Sequence, residues 1–194
     1  MAFPEKAAEH LTYSFIKEAL PNKDQKELDR IEYGLALFFS ALPKFFALLA
    51  LAIFANFLID YFLWYFTVTL CSYAVVRAYA WGLHLKGDMS CFFGSFLLLF
   101  GNTFISIIFH LPLYLLLIIW GVSSIFLYLY APADTDARPL RSQKLRKRLR
   151  KKLMIVSIGL FVITILYKDH CYSSLVTLGV FWESFFTTPF MYKL

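Results

Sequence analysis

The chain has 194 residues, of which 60% are apolar, 20% aromatic and only 16% charged, and its mean hydropathy is +0.63. One soluble domain of that length has too little interior to hide so much apolar surface, so composition excludes an ordinary globular enzyme and points to an integral membrane protein. The formal net charge of +6 does not point to nucleic acid, because the basic residues crowd into one segment, 138–152, with no nucleic-acid-binding motif beside them.

The opening stretch "MAFPEKAAEHLTYSFIKEAL" lacks the unbroken apolar region of a signal peptide, since Glu5, Lys6, Glu9, Lys17 and Glu18 interrupt it. Ala8, Leu11, Phe15, Ile16 and Ala19 recur at helical spacing and predict an amphipathic helix lying on the membrane surface. A short soluble helix packed on loops is the plainer alternative. On this reading 1–30 is a cytoplasmic surface segment and 31–194 a polytopic membrane domain.

Apolar runs follow at 35–59, 61–76, 91–109, 113–130, 153–167 and 174–190. Several approach the roughly 20 residues that cross a bilayer core, so the expected fold is all-α with about six membrane-embedded helices. Lys44 either snorkels or marks a later helix start, because a lysine at mid-bilayer costs about 2.5–3.5 kcal/mol. Asn56 and Asp60 suggest a tight turn, and "HLP" at 110–112 a break. The stretch "APADTDARPLRSQKLRKRLRKK" reads as a basic loop, 131–152, with Pro132 and Asp134 as turn formers. Glu183, in the last run, is costly to bury, so it either pairs with another helix or a partner subunit or sits near a water-accessible interface.

The basic residues set orientation. With the N-terminus inside, Lys6, Lys17, Lys23, Lys26 and Arg30, then Arg77 and Lys86, then the run from Arg138 to Lys152, and last Lys193 are cytoplasmic. Only Lys168 falls outside, with Lys44 in a span, as the positive-inside rule requires. Three cysteines at 71, 91 and 171 form no disulfide framework. Cys71 and Cys171 read as small buried residues.

Cys91 stands apart in "VRAYAWGLHLKGDMSCFF", 75–92, because His84 precedes it by seven residues. On one straight helix the two side chains lie about 10 Å apart along the axis, too far for a proton transfer that needs roughly 2.6–3.2 Å or one bridging water. A dyad therefore requires a bend, and Gly87 with Asp88 supplies one. Cys91 then falls near a helix start, where the positive end of the macrodipole favours thiolate. On spacing alone, two ordinary residues near helix ends remain the plainer reading. Metal binding is not expected, since Asp88 is the sole nearby third ligand and His10, His110 and His170 belong to other faces or loops.

The pattern Arg77-x4-Gly82-x-His84-x-Lys86 … Cys91, followed at a distance by "YAPADTDARPL" (130–140) and a Lys/Arg-rich stretch, is similar to that of the accessory gene regulator B (AgrB) family. Length, number of apolar runs and motif order fit over essentially the whole chain. One departure is Trp81, where the family often has a second glycine. The resemblance implies a membrane cysteine endopeptidase of Gram-positive bacteria, needing no cofactor, that processes a quorum-sensing propeptide. It implies Cys91 as nucleophile and His84 as base in a catalytic loop, 77–91. Arg77, Gly82 and Lys86 match the same motif in structural or substrate-positioning roles. Arg146, Lys147 and Arg148 hold the basic loop inside and against anionic lipid, and a further reading has them attract an acidic propeptide tail.

The implied partners are an AgrD-like propeptide and the lipid bilayer, with a homodimer left open. The implied location is the cell membrane, multi-pass, with the N-terminus and the catalytic loop cytoplasmic. Two other functions compete. A non-enzymatic membrane partner or assembly subunit would leave His84 and Cys91 incidental. A small transporter using Arg77, Glu183 and Lys44 is weaker, because intramembrane polar residues are few.

Overall fold

The computed structural model describes residues 3–19, 24–82, 88–133, 142–168 and 170–192, and every regular element among them is helical. The chain divides into two units, Met1–Phe54 and Ala55–Leu194.

In the first unit, α1 (Phe3–Leu11), a π-helical turn (Thr12–Ile16) and α2 (Lys17–Ala19) precede α3 (Gln25–Asn56). Asp24 starts α3 by accepting the Glu27 backbone N–H at 2.8 Å, the side-chain cap that an orphan helix donor needs. Gln25 donates to the Tyr13 hydroxyl at 2.7 Å and to Asp29 at 2.9 Å, which ties the N-terminal segment to the first turns of α3. Ala8, Thr12 and Leu28 are buried, whereas Phe15 keeps 61% of its surface exposed. An apolar ring so presented suits a helix with one face toward lipid. Lys44 does not mark a late helix start: α3 begins at Gln25 and runs through Pro43, and the Lys44 ammonium donates to Ser40 Oγ at 2.9 Å.

In the second unit, the expected turn after α3 is present. Asn56 Oδ1 accepts the Leu63 N–H at 3.0 Å and so caps α4 (Phe62–Ala80). There follow α5 (Asp88–Ile108), α6 (Leu113–Tyr130), α7 (Gln143–Leu166), α8 (Cys171–Phe186) and α9 (Pro189–Tyr192). Pro112 stands immediately before α6, so the break at 110–112 falls where the sequence places it.

The central element is α8, which packs against α4, α5, α6 and α7. Val76, Ala80, Trp120, Leu127, Leu153, Val176 and Val180 make the apolar core around it. Hydroxyls bind the helices as well: the Trp120 indole N–H donates to Thr177 at 3.0 Å and to Thr164 at 3.3 Å, joining α6, α8 and α7. Buried side chains include Thr69, Ser72, Asn102, Thr103, Thr177 and Ser184, while Leu97, Ile108, Leu117, Ile118, Ile125 and Leu129 are exposed. Polar groups inside and aliphatic groups outside is the arrangement lipid favours, since no water is there to satisfy an outward-facing hydroxyl.

Three helices among the described residues are long and apolar enough to cross a membrane, at Glu27–Asn56, Met89–Ile108 and Leu113–Tyr130, rather than the six expected from the apolar runs. The shortfall has physical causes. Arg77 and the hydroxyls of Thr67, Thr69 and Ser72 dilute the apolar character of α4. The first ten residues of α7 are polar or basic apart from Leu145 and Leu149, and α8 is only 16 residues long. α4, α7 and α8 pack on one another, and Arg77, Thr69 and Thr177 find partners in that packing, so a purely apolar sequence is not required there.

Close approach of α8 to α4 depends on Gly179: a β-carbon there would lie 2.6 Å from Ser72 Oγ and 3.6 Å from the Thr69 carbonyl. Nothing lies within 4 Å of the same position at Gly121. Gly179→Leu is therefore expected to destabilise the helix packing by about 1–3 kcal/mol and Gly121→Leu to be tolerated, as read by thermal unfolding in detergent.

Candidate active site

The site forms where α4 ends and α5 begins. Arg77 lies in the last turn of α4, and its guanidinium Nη1 donates to both carboxylate oxygens of Glu183 on α8 at 3.3 Å. The Glu183 side chain is fully buried and that of Arg77 is 24% exposed. Glu183 thus pairs with another helix of its own chain, one of the alternatives its sequence position allows. A carboxylate taken fully out of water needs such a partner.

Past Ala80 the chain leaves the helix abruptly. Trp81 has φ 55° and ψ 179°, a conformation that side-chain-bearing residues rarely adopt and glycine adopts freely. The position where the family often carries glycine therefore has glycine-type backbone geometry here, although its residue is tryptophan. Gly82 is buried against the ion pair. A β-carbon on it would lie 3.0 Å from Arg77 Nη1, 3.0 Å from the Phe186 carbonyl oxygen and 3.3 Å from the Phe186 carbonyl carbon. Gly82 is glycine because a side chain has no room between α4 and the end of α8.

Cys91 is in the first turn of α5, as the sequence predicts, and half-buried. The helix begins at Asp88, so the backbone is helical from there through Cys91. His84 and Lys86 lie outside the described residues, as does the approach of His84 to Cys91. The other cysteines differ from expectation: Cys71 is exposed and Cys171 half-buried. On α4 an exposed thiol faces the bundle's apolar exterior, which a small weakly polar group tolerates.

The second sequence landmark sits on the first. Ala131, Pro132 and Ala133 are buried, and the Ala133 N–H donates to the Ala80 carbonyl at 2.8 Å, beside Trp81. Residues 134–141 lie outside the described residues. The basic run is helical from Gln143 onward, its first turn capped by Ser142, which accepts the Leu145 N–H at 3.3 Å. Lys147 and Arg148 are exposed and Arg146 is half-buried. Further along, Arg150 donates to the Tyr128 carbonyl and covers the Tyr128 ring at 4.9 Å, and Lys152 lies over Tyr79 at 5.8 Å. Among the described residues no three His, Cys, Asp or Glu side chains form a metal-holding group. A concavity lined by Asn56, Asp60 and Trp64 lies toward the opposite end of α4 from Arg77 and brings no reactive group together.

Sequence reasoning treated Arg77 and Glu183 separately and missed the Phe186 carbonyl. One signal was available: an arginine and a glutamate on two apolar runs each need an opposite charge.

Fold and site together define a helical protein of membrane type with a cysteine at a helix start and a buried ion pair at the end of the preceding helix. The accessory gene regulator B family model matches residues 8–187, and the chain belongs to that family. It is 32% identical to the accessory gene regulator protein B of Staphylococcus carnosus, over 80% of this chain and 81% of that protein. It is also 28% identical to a putative AgrB-like protein of Clostridium acetobutylicum, over 87% of this chain and 78% of the other. A putative AgrB-like protein of Listeria monocytogenes is 27% identical, over 88% and 81%. No solved structure matches.

Gly82→Ala is expected to cost about 1–3 kcal/mol, because the obstructing Phe186 carbonyl is backbone and cannot swing aside. Thermal unfolding of the purified variant measures this, and an unchanged midpoint contradicts the packing described.

Proposed function

We propose that the protein is a membrane cysteine endopeptidase that removes the C-terminal tail from an AgrD-like quorum-sensing propeptide and promotes cyclisation of the remaining core. The observation that carries the reading is Cys91 in the first turn of α5 in a chain of the AgrB family. A helix N-terminus favours negative charge on sulfur, and thiolate is the nucleophilic form.

The Cys91 thiolate attacks the carbonyl joining core to tail. The carbon–sulfur bond forms, the carbon–nitrogen bond breaks, and His84 gives its proton to the departing amine. The core is then held as an acyl-thioester. Its own cysteine or serine attacks next and gives its proton to the now-neutral His84, closing a thiolactone or lactone ring and returning the thiolate to Cys91. The thioester keeps much of the activation of the cleaved bond, so closure needs no ATP, and a site next to lipid favours cyclisation by excluding water. No cofactor enters.

The protein is placed in the cell membrane, multi-pass, with 1–30 as a cytoplasmic surface segment and 31–194 as the peptidase domain. The 77–91 segment faces the cytoplasm, as the distribution of basic residues favours. The organisms of the relatives, Staphylococcus, Clostridium and Listeria, support a Gram-positive setting. Exposed Lys147 and Arg148 on α7 are placed to attract an acidic propeptide tail as well as anionic lipid.

Cys91→Ala is expected to abolish tail release from a co-expressed propeptide, and His84→Ala to slow it by about 10²–10⁴-fold. Processing at the wild-type rate in either variant contradicts the reading and favours a non-enzymatic membrane partner. Lys147→Glu combined with Arg148→Glu, in protein that inserts normally, is expected to raise KM for the propeptide and leave kcat little changed. An unaltered KM would confine those residues to topology and lipid contact.

A further inference from the structure

By composition α5 is a membrane span, yet two of its most deeply buried side chains are polar. Asn102 is 2% exposed and Ser106 is fully buried. They stand four residues apart and so share one face of the helix. That face meets α8, because Asn102 Nδ2 donates to the Leu175 carbonyl at 3.3 Å. Just beyond the end of α5, the Leu111 N–H donates to Ser174 Oγ at 3.2 Å. Ser106 is therefore bracketed along the chain by two contacts to neighbouring residues of α8. The remaining polar atoms of the pair, Asn102 Oδ1 and Ser106 Oγ, are buried and receive no hydrogen bond from each other or from any other described group.

Two orphaned polar atoms on an apolar helix carry a desolvation cost that a bound ligand would remove. Residues at this spacing have β-carbons about 5–6 Å apart. One small molecule with a hydrogen bond of about 2.7–2.8 Å on each side spans that gap. The amide oxygen can only accept, whereas the hydroxyl can donate or accept. The ligand must then donate toward Asn102 and can do either toward Ser106, which describes water. A cation does not suit the pair, since both side chains are neutral and its charge would stay buried without an anionic ligand. We infer that one buried water is bound between α5 and α8, bridging Asn102 Oδ1 and Ser106 Oγ. Together with the Asn102–Leu175 bond it clasps the helix whose first turn carries Cys91 to the central helix of the bundle. The inference concerns helix packing and stands independently of the peptidase reading.

The test is thermal unfolding of the purified full chain in detergent, as wild type, Ser106→Ala, Asn102→Leu and the double variant. Ser106→Ala removes one of the two anchors of the water and leaves Asn102 Oδ1 without a partner. Its midpoint is expected to fall by about 2–4 °C, although alanine is the better helix former. A dry seam gives the opposite sign, because the substitution then deletes a hydroxyl that was buried at a cost. A hydroxyl turned back onto the carbonyl of its own preceding turn also gives no fall, since that bond slightly weakens a helix. Asn102→Leu is expected to lower the midpoint further, as it also loses the bond to Leu175. The double variant is expected to melt no lower than Asn102→Leu alone, because the two side chains act through one shared water.

An unchanged or raised midpoint in Ser106→Ala overturns the inference. So does a double variant whose loss equals the sum of the two single losses, since that marks two independent contacts. If Asn102→Leu fails to fold, the sign of the shift in Ser106→Ala decides alone.

Discussion

The junction between the end of α4 and the end of α8 depends on how one buried negative charge is satisfied. A carboxylate with no exposed surface, on a helix surrounded by four others, cannot stay charged unless a cation meets it there. Arg77 does, and because it stands in the last turn of α4, satisfying Glu183 fixes where α4 must end relative to α8. Breaking such a pair by removing one partner typically costs about 3–5 kcal/mol, since the remaining charge stays buried alone. Gly82 has no side chain for the same reason: the guanidinium and the end of α8 leave room only for backbone.

The surrounding packing serves that contact. Gly179 lets α8 approach α4 closely enough for their side chains to meet. Ala133 ties the loop after α6 to the last carbonyl-bearing residue of α4, so the sequence landmark at 130–140 begins as a brace on the first landmark. The polar residues that make α4 and α8 poor membrane spans by composition are the ones that hold the interior together. A helix in the middle of a bundle meets other helices rather than lipid, and Thr69 and Thr177 find partners there.

Much of this was legible in the sequence because it depends on local chemistry. The helix boundaries at Asn56 and Pro112 follow from capping and ring constraints on neighbouring residues, and Cys91 falls in a first helical turn, where the sequence places it. The number of spanning-competent helices was misjudged because an apolar run signals burial without saying whether protein or lipid does the burying. The basic run looked like a loop because charge density hides helical propensity; Lys and Arg are good helix formers, and Ser142 supplies the start. The Arg77–Glu183 contact joins residues far apart in the chain, and no periodicity reports a pairing of that kind.

The account stands or falls on a covalent bond to Cys91. Its most direct test offers the protein a propeptide whose core cysteine or serine is replaced by alanine, so that the acyl group has no internal acceptor, and examines Cys91 by mass spectrometry. The account predicts a hydroxylamine-sensitive adduct on Cys91 that carries the whole propeptide N-terminal to the released tail, with the tail released in step. Tail release with no adduct on Cys91, even at short times and high protein, would contradict it.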